Sequence, residues 1–527
     1  MVYSMDRRRQ NRLLLGLIVL LWLPLLLSNT VPMQDLPDWV LQGTILSHAD
    51  SPLFAPFYHV RMIPAPNLAL SLILAVLGPI IGMQAAAKIA AALTLLLFTA
   101  GFVYLRRADG RLTPHIEVLG ALFAANHFYM MGYLNFMLGS GLAFIAVGYY
   151  WRRAGQFAKE SAAVLAVLAT AIYFCHFFAF FMTALAVFCI AWRTYYSRLR
   201  AYIAPLAALA PGVLFGLWYA LARSGEFNIR YELSPLKHLW FKVMPFAPLS
   251  NFYPFSPQPI AWVVVLANIA VVAGLAVLFL WLIRMRAFDP RSPLTIAGMT
   301  LAVAGLLAPT CIFELIWPGQ RLLFLAFFLL LADVNPPREL RMELSRKTAV
   351  LLAALLLFNS ANMTMAARQV TAVAASIEQN VPEDASPLLI DTANFIWDKP
   401  KTALERLTDP FGYPAWVNPL KAVGYYHAAK HGGLIQYLFP TGVVEVTQTG
   451  PPLVQRQAQL SEVQRFAPYE YIVLTGRKSV ADRIDAELPP QYREIAASPY
   501  YRILKRQPPQ PPRQGLAPGA LSWIGLP

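Results

Sequence analysis

The chain has 527 residues, of which 57% are hydrophobic and 13% charged, whereas a soluble protein carries about 25% charged residues. The apolar residues fall in blocks of roughly 17–25, the length that matches a bilayer's hydrocarbon core rather than a strand, which excludes an ordinary soluble fold. The formal net charge is +15, but Lys and Arg largely cluster between apolar blocks, which is a topology signal, so no nucleic-acid partner is expected.

Arg7, Arg8, Arg9 and Arg12 precede the apolar run Leu13 to Leu27. This resembles a signal peptide, yet Ser28-Asn29-Thr30 is a poor cleavage site, so a retained first helix over 13–31 is expected. Basic clusters at 7–12, 106–111, 152–159, 193–200, 284–291 and 338–347 fall on the cytoplasmic side by the positive-inside rule. Each segment between two of them must then cross the membrane an even number of times. Residues 32–63 form a first external loop. The blocks 64–82 and 84–105 follow, and counting both as spans breaks the parity. One of them is re-entrant or surface-lying, or the rule fails locally.

Residues 116–130 and 132–151 read as a hairpin with its turn near Met130, and 161–175 and 177–192 as another with its turn near His176. The stretch 201–222 runs outward to a second external loop over 223–260. Then 261–283 returns, 294–312 goes out, 320–335 comes back and 348–365 makes the last outward crossing. The expected fold is a polytopic α-helical membrane protein of about 11–13 membrane helices. Its bundle covers 1–365, a periplasmic α/β domain covers 366–507, and a Pro- and Gly-rich tail covers 508–527. Leu388–Asp391, Tyr471–Leu474 and Tyr500–Leu504 have the short apolar pattern of buried strands, with helices expected around Leu420–His431 and Val480–Leu488. The three cysteines, Cys175, Cys189 and Cys311, lie in or beside apolar blocks and give neither a disulfide framework nor a zinc pattern.

The stretch Gln34-Asp35-Leu36-Pro37-Asp38-Trp39 opens the first external loop. A carboxylate there can take a proton from an attacking hydroxyl while its neighbour orients it. The bland reading is a helix start, with Asp35 as N-cap and Pro37 and Asp38 in the first turn. Other polar groups fall at the same external level: His48, His59, Arg61, His127, His176, Glu314 and Arg321. Such groups at the ends of apolar helices are costly unless paired or used. Arg61 and Arg321 suit a phosphate through paired hydrogen bonds, or else snorkel to lipid headgroups. The second loop carries Lys237 and His238 among aromatic residues, which suits a sugar face, a lid over a cavity or an interfacial helix. No phosphate-binding glycine loop, dinucleotide fingerprint or HExxH pattern occurs.

Four features together resemble the GT-C superfamily of integral membrane glycosyltransferases, including uncharacterised bacterial members. They are the single span followed by the Asp35–Asp38 loop, the stretch Val60-Arg61-Met62-Ile63-Pro64-Ala65-Pro66-Asn67, the stretch Tyr129-Met130-Met131-Gly132-Tyr133-Leu134-Asn135-Phe136, and a domain after the last helix. The resemblance implies a polyprenyl-phosphate sugar as donor and a glycan, lipid or protein as acceptor. Carried over, it makes Asp35 the base and Asp38 its partner, or the reverse, since the family's tight acidic pair is widened here to Asp-Leu-Pro-Asp. Arg61 or Arg321 becomes the donor-phosphate residue, and the histidines, Glu314 and Lys237 line the cavity. No cofactor is implied; a divalent metal stays open but is not expected. The expected setting is a monomer among the lipids of a bacterial inner membrane, with a cytoplasmic N-terminus. Two other classes stand beside this one: a transporter or flippase of lipid-linked sugars, and an envelope assembly or scaffold protein.

Overall fold

The computed structural model describes the chain apart from residues 1, 109, 111–113, 223–228, 232–241, 253–254, 256–257, 313–314, 336–345, 386, 392–415, 433–434, 436–437, 439–442, 448–468, 477 and 508–527. Glu314, Lys237 and His238 therefore lie outside the described residues. In chain order the helices are α1 Val2–Leu27, α2 Leu36–Ser47, α3 Ala69–Ile81, α4 Met83–Arg106, α5 Pro114–Leu122, α6 His127–Met130, α7 Leu134–Arg153, α8 Lys159–Cys175 and α9 Phe177–Tyr195. They continue as α10 Ile203–Ala222, α11 Gln258–Arg284, α12 Pro293–Leu307, α13 Pro318–Asp333, α14 Arg346–Asn380, α15 Tyr425–His431 and α16 Lys478–Glu487.

Among the described residues, 7 helical segments are long and apolar enough to cross a membrane: 10–27, 83–106, 134–156, 177–195, 199–222, 259–284 and 350–380. The chain is thus a multi-pass helical membrane protein with a strand-containing C-terminal domain. The larger count of about 11–13 expected from hydropathy takes in blocks too short to cross unaided, since a span needs about 20 residues. Ala69–Ile81 has 13 residues and Pro293–Leu307 has 15. The first of these addresses the parity conflict. Gly82, at φ +85°, breaks the apolar stretch between α3 and α4, and α3 at about 1.5 Å per residue is only about 20 Å long.

The bundle core is aromatic. Phe98, Phe102, Phe128, Phe136, Phe144, Phe324 and Phe328 are buried and meet in edge and tilted pairs and one stacked pair, Phe98–Phe324, with centroids 4.9–6.1 Å apart, within the range of geometries that aromatic quadrupoles favour. These rings come from α4, α6, α7 and α13, so α13 runs through the middle of the bundle. Its far end is held by buried polar bonds. Arg106 donates to the carbonyls of Ala332 and Val334 at 3.0 and 2.8 Å, satisfying carbonyls that a helix C-terminus leaves open. Asp333 accepts from both the amide and the hydroxyl of Thr295, at 3.1 and 2.6 Å. Thr295→Val keeps the shape and removes the second bond. Thermal unfolding in detergent should show a loss of about 1.5 kcal/mol, the usual worth of a hydrogen bond to a charged group.

Helix α14 is 35 residues long, about 52 Å at ~1.5 Å per residue, against about 30 Å of hydrocarbon. It continues without a break past residue 366 and carries the C-terminal domain on its protruding end. That domain holds a sheet in the order β10 (Tyr492–Ala497), β11 (Tyr501–Arg506), β9 (Tyr471–Thr475), β6 (Leu388–Asp391). The β6–β9 pair is parallel and the others are antiparallel. Leu388, Ile390, Ile472 and Leu474 pack with Ile484 of α16, while Val473 and Ile503 join the cluster that includes Val370 and Ile377 of α14. The strands expected at 388, 471 and 500 are all present. β10 was not anticipated, because it is an edge strand with mostly exposed side chains.

Two short strand pairs tie this domain to the loops 32–63 and 223–260. β1 (Tyr58–Val60) pairs antiparallel with β8 (Val444–Val446), and β3 (Asn251–Phe252) pairs in parallel with β7 (Trp416–Val417), while β2 (Ile229–Arg230), β4 (Cys311–Ile312) and β5 (Leu315–Ile316) form a small antiparallel sheet in that order.

Candidate functional site

Asp35 occupies the N-cap position of α2, but its side chain makes no capping bond. The bland sequence reading therefore accounts for the helix start through Pro37 and leaves the carboxylate to other partners. That carboxylate is 2% exposed. Lys421 Nζ, from the segment leading into α15, donates to Asp35 Oδ1 at 2.8 Å, and the Lys421 side chain is only 12% exposed. The same segment returns a second bond, Asn418 N to Gln34 Oε1 at 3.1 Å. The C-terminal domain thus sends one strand-and-turn over the acidic loop.

The loop's other side is the turn between α6 and α7. Gln34 N donates to Met130 O at 3.1 Å, Asp35 N to Met131 O at 3.2 Å, and Trp39 Nε1 to Gly132 O at 3.2 Å. Two stretches singled out from the sequence, 34–39 and 129–136, therefore meet. Gly132 makes the approach feasible. Its φ is +83°, and a Cβ there would stand 3.0 Å from the amide nitrogens of both Asp35 and Leu36. Gly132→Ala should cost about 1–2 kcal/mol from the left-handed backbone and displace the Asp35 loop, read as a lowered unfolding temperature in detergent. The stretch 60–67 joins the neighbourhood through Asn135, whose Nδ2 donates to Asn67 O at 2.7 Å and whose Oδ1 accepts from Leu70 N at 2.8 Å.

Asp38 is buried and accepts from Gln42 Nε2 at 2.8 Å, one helical turn on. It also lies within electrostatic range of Tyr58. Burial pushes the Tyr58 phenol well above its usual range, the bond from Ile435 N opposes that, and the Asp38 charge adds to it.

Arg321, in the first turn of α13, is 7% exposed. Its guanidinium lies 4.7 Å from the centroid of the Tyr133 ring, bonds to the Tyr133 side chain and lies within electrostatic range of Asp35. His176, the break between α8 and α9, falls within range of Arg321. Its Nδ1 accepts from Phe178 N at 3.1 Å, which leaves the proton of the neutral ring on Nε2, and its ring meets Phe136 edge-on at 5.0 Å. Asp35, Arg321 and His176, all buried, and the half-buried Tyr133 thus form one group of charge and hydrogen-bonding capacity beside the aromatic core.

The remaining sequence candidates fall elsewhere. Arg61 pairs with Glu445 at 2.9 Å beside the β1–β8 ladder and is partly exposed; no contact with Asp35 or Arg321 occurs among the described residues. His48 is exposed at the end of α2, its Nδ1 2.8 Å from Ser47 Oγ. His59 is exposed on β1, opposite Glu445. His127 is buried at the start of α6, and its Nδ1 has no hydrogen-bond partner among the described residues.

Sequence reasoning missed Lys421, and it reached Tyr133 and Lys242 only as members of the stretch 129–136 and the loop 223–260, without a role for either. Lys421 lies 386 residues from its partner, and no local pattern marks it. Lys242 is buried with its ammonium on Leu306 O, and its chain would touch a Cβ at Gly319, beside Arg321. The mixture of charged and aromatic residues in the loop 223–260 is the sequence signal that points there.

No family model and no curated protein matches the chain. Among solved structures it is similar to ArnT from Cupriavidus metallidurans bound to undecaprenyl phosphate, at 12% identity and TM-score 0.47, over 93% of this chain and 97% of that one. The apo state of that protein gives 12% identity and 0.46 over the same shares. The arabinofuranosyltransferase AftD from Mycobacteria gives 14% and 0.44, over 95% of this chain but 40% of that one. No residue role follows from likenesses at this level.

Proposed function

We propose that this protein is a membrane glycosyltransferase that moves a sugar from a polyprenyl-phosphate donor to a hydroxyl of a glycan, lipid or protein outside the cytoplasm. The observation that carries the reading is a buried carboxylate, Asp35, ion-paired to Lys421 and lying within electrostatic range of a buried guanidinium, Arg321, beside the aromatic core. Burying either charge is expensive without return. The resemblance of the 34–39, 60–67 and 129–136 stretches to the GT-C superfamily supports the same chemistry.

A sugar phosphate already carries its leaving group. The protein must hold the phosphate, present the anomeric carbon and take one proton. In the proposed step the acceptor oxygen attacks the anomeric carbon, its proton passes to Asp35, and the bond to the phosphate oxygen breaks. Polyprenyl phosphate leaves with the electron pair, and the anomeric configuration inverts. Arg321 stabilises the charge gathering on that phosphate in a site with little water to screen it. Lys421 holds Asp35 Oδ1, so Oδ2 is the oxygen assigned to the proton. Asp38 and Gln42 support α2 behind it. Tyr133 and His176 orient the guanidinium and offer hydrogen bonds to phosphate or sugar. The segment 416–423 caps the group and would select the acceptor. The setting is an inner membrane with the C-terminal domain outside the cytoplasm.

The test is transfer of radiolabelled sugar from a panel of polyprenyl-phosphate donors into membrane glycan and lipid fractions by the purified protein. Label appearing in an acceptor from one donor establishes the reaction and names the sugar. Donor lipid crossing the bilayer of proteoliposomes with no label transferred would replace the reading with transport.

A further inference from the structure

A second cluster of titratable groups lies apart from the Asp35 site. Glu378 stands two residues from the end of α14, on the part of that helix that exceeds the hydrocarbon thickness. His427 and His431 sit on α15 at a spacing that places both on one face, and that face meets Glu378. One ligand atom from each of the three lies within 4.8 Å of the others. His427 Nδ1 is 3.2 Å from Glu378 Oε2, and His431 Nε2 is 2.5 Å from Glu378 Oε1. His427 is 3% exposed, and its Nε2 has no hydrogen-bond partner among the described residues.

We propose that Glu378, His427 and His431 form a binding site for a divalent transition metal, zinc by donor type, which clasps α15 to α14. Two imidazoles and one carboxylate are a borderline donor set that suits zinc rather than calcium or magnesium. Bonds of roughly 2.0–2.1 Å to a tetrahedral ion separate neighbouring donors by about 3.3 Å. The two histidines meet different oxygens of Glu378, His427 on Oε2 and His431 on Oε1, so the carboxylate turns to offer one oxygen to the ion, and the ligand atoms, all within 4.8 Å of one another, draw together around it. His431 Nδ1 faces Glu383 at 3.7 Å, so the outer nitrogen points at a carboxylate while Nε2 points at the site. At that distance the contact is electrostatic rather than a hydrogen bond, and it favours the tautomer that carries its proton on Nδ1 and leaves Nε2 free to ligate. Lys430 also reaches Glu378 Oε1, but its side chain is 65% exposed and can turn to solvent when a cation takes its place. The fourth position falls to water.

The placement gives the clasp a consequence. α15 begins four residues after Lys421, and Tyr425 and Ala428 of α15 pack on Leu41 and Ile45 of α2. Fixing α15 to α14 therefore holds the segment that delivers Lys421 to Asp35. The metal has a structural role and takes no part in the transfer step.

The experiment uses full-length protein in detergent, freed of any affinity tag, stripped with a chelator and titrated with Zn2+ or Co2+ alone. One equivalent bound per chain, Co2+ absorption of tetrahedral type and a raised unfolding temperature are expected. His427→Gln and His431→Gln should abolish binding, and Lys430→Ala, which removes the cation that competes for Glu378, should tighten it severalfold. Lys430 is 65% exposed, so that variant folds and keeps the test decisive if the histidine variants do not. No stoichiometric metal in the wild type, binding that survives both histidine substitutions, or binding weakened by Lys430→Ala would overturn the site and leave a charge cluster around Glu378.

Discussion

Asp35→Asn is expected to lower the rate of sugar transfer roughly 10²–10⁴-fold, the usual contribution of a positioned general base. The amide matches the carboxylate in size and still accepts from Lys421 and Gln34, so the loop that Gly132 admits keeps its path. What disappears is the capacity to take the acceptor's proton. Donor binding rests on Arg321 and should stay near its wild-type value, so the loss appears in single-turnover rate rather than in donor Kd. The substitution also leaves the Lys421 ammonium facing a neutral group while only 12% exposed, which costs stability in its own right. Adding Lys421→Gln removes that charge. The double variant should regain thermal stability and stay inactive, which separates loss of the base from loss of the fold. Asp38→Asn provides the contrast, since Asp38 accepts from Gln42 and sits behind Asp35. Turnover that survives Asp35→Asn but fails in Asp38→Asn would exchange the two roles, and turnover that survives both would end the assignment.

The bundle was legible because apolar length is a direct physical requirement of the bilayer. The strands at 388, 471 and 501 were legible because short apolar runs rich in Ile, Val and Tyr have few other uses. Helix lengths were not. The breaks at Gly82 and His176 could be placed in sequence, but which of the helices on either side is long enough to cross depends on where each one starts, and α3 begins only at Ala69. Asp35 and Arg321 could be singled out because a charge beside an apolar block is rare enough to need a reason. Their partners could not. Lys421 and Tyr133 reach the group through tertiary packing, and Lys421 comes from a domain that hydropathy treats as a separate unit. Arg61 is the contrasting case. It is as conspicuous in sequence as Arg321, yet the β1–β8 pairing places it against Glu445, because strand register rather than membrane depth fixes where it points. His427 and His431 form an i, i+4 pair visible in sequence, but the carboxylate that completes it lies on a helix whose length beyond residue 365 the hydropathy profile understates.

Arg321→Ala is expected to reduce transfer roughly 10²–10³-fold, the scale on which removing one preorganised group for a developing negative charge acts. The loss should fall on kcat as well as on donor affinity, because charge on the bridging phosphate oxygen grows as the sugar departs and a group matched to that charge contributes most there. Arg321→Lys keeps the charge but replaces a planar fork with a point donor. It should recover part of the affinity for the donor and little of kcat. Tyr133→Phe removes the hydroxyl while keeping the ring beneath the guanidinium, so its effect should be smaller and should vanish in the Arg321→Ala background, as expected of a residue that acts through another. Arg61→Ala is the matched control. Its ion pair with Glu445 is partly exposed, and pairs of that kind contribute about 0–1 kcal/mol, so transfer should change little. Equal losses from Arg61→Ala and Arg321→Ala would mean that the donor phosphate spans both arginines or that neither binds it, and a donor-binding isotherm for each variant distinguishes the two. An Arg321→Ala protein with wild-type kcat and donor KM would remove the guanidinium from the mechanism and leave its burial beside Asp35 as a structural feature of the bundle.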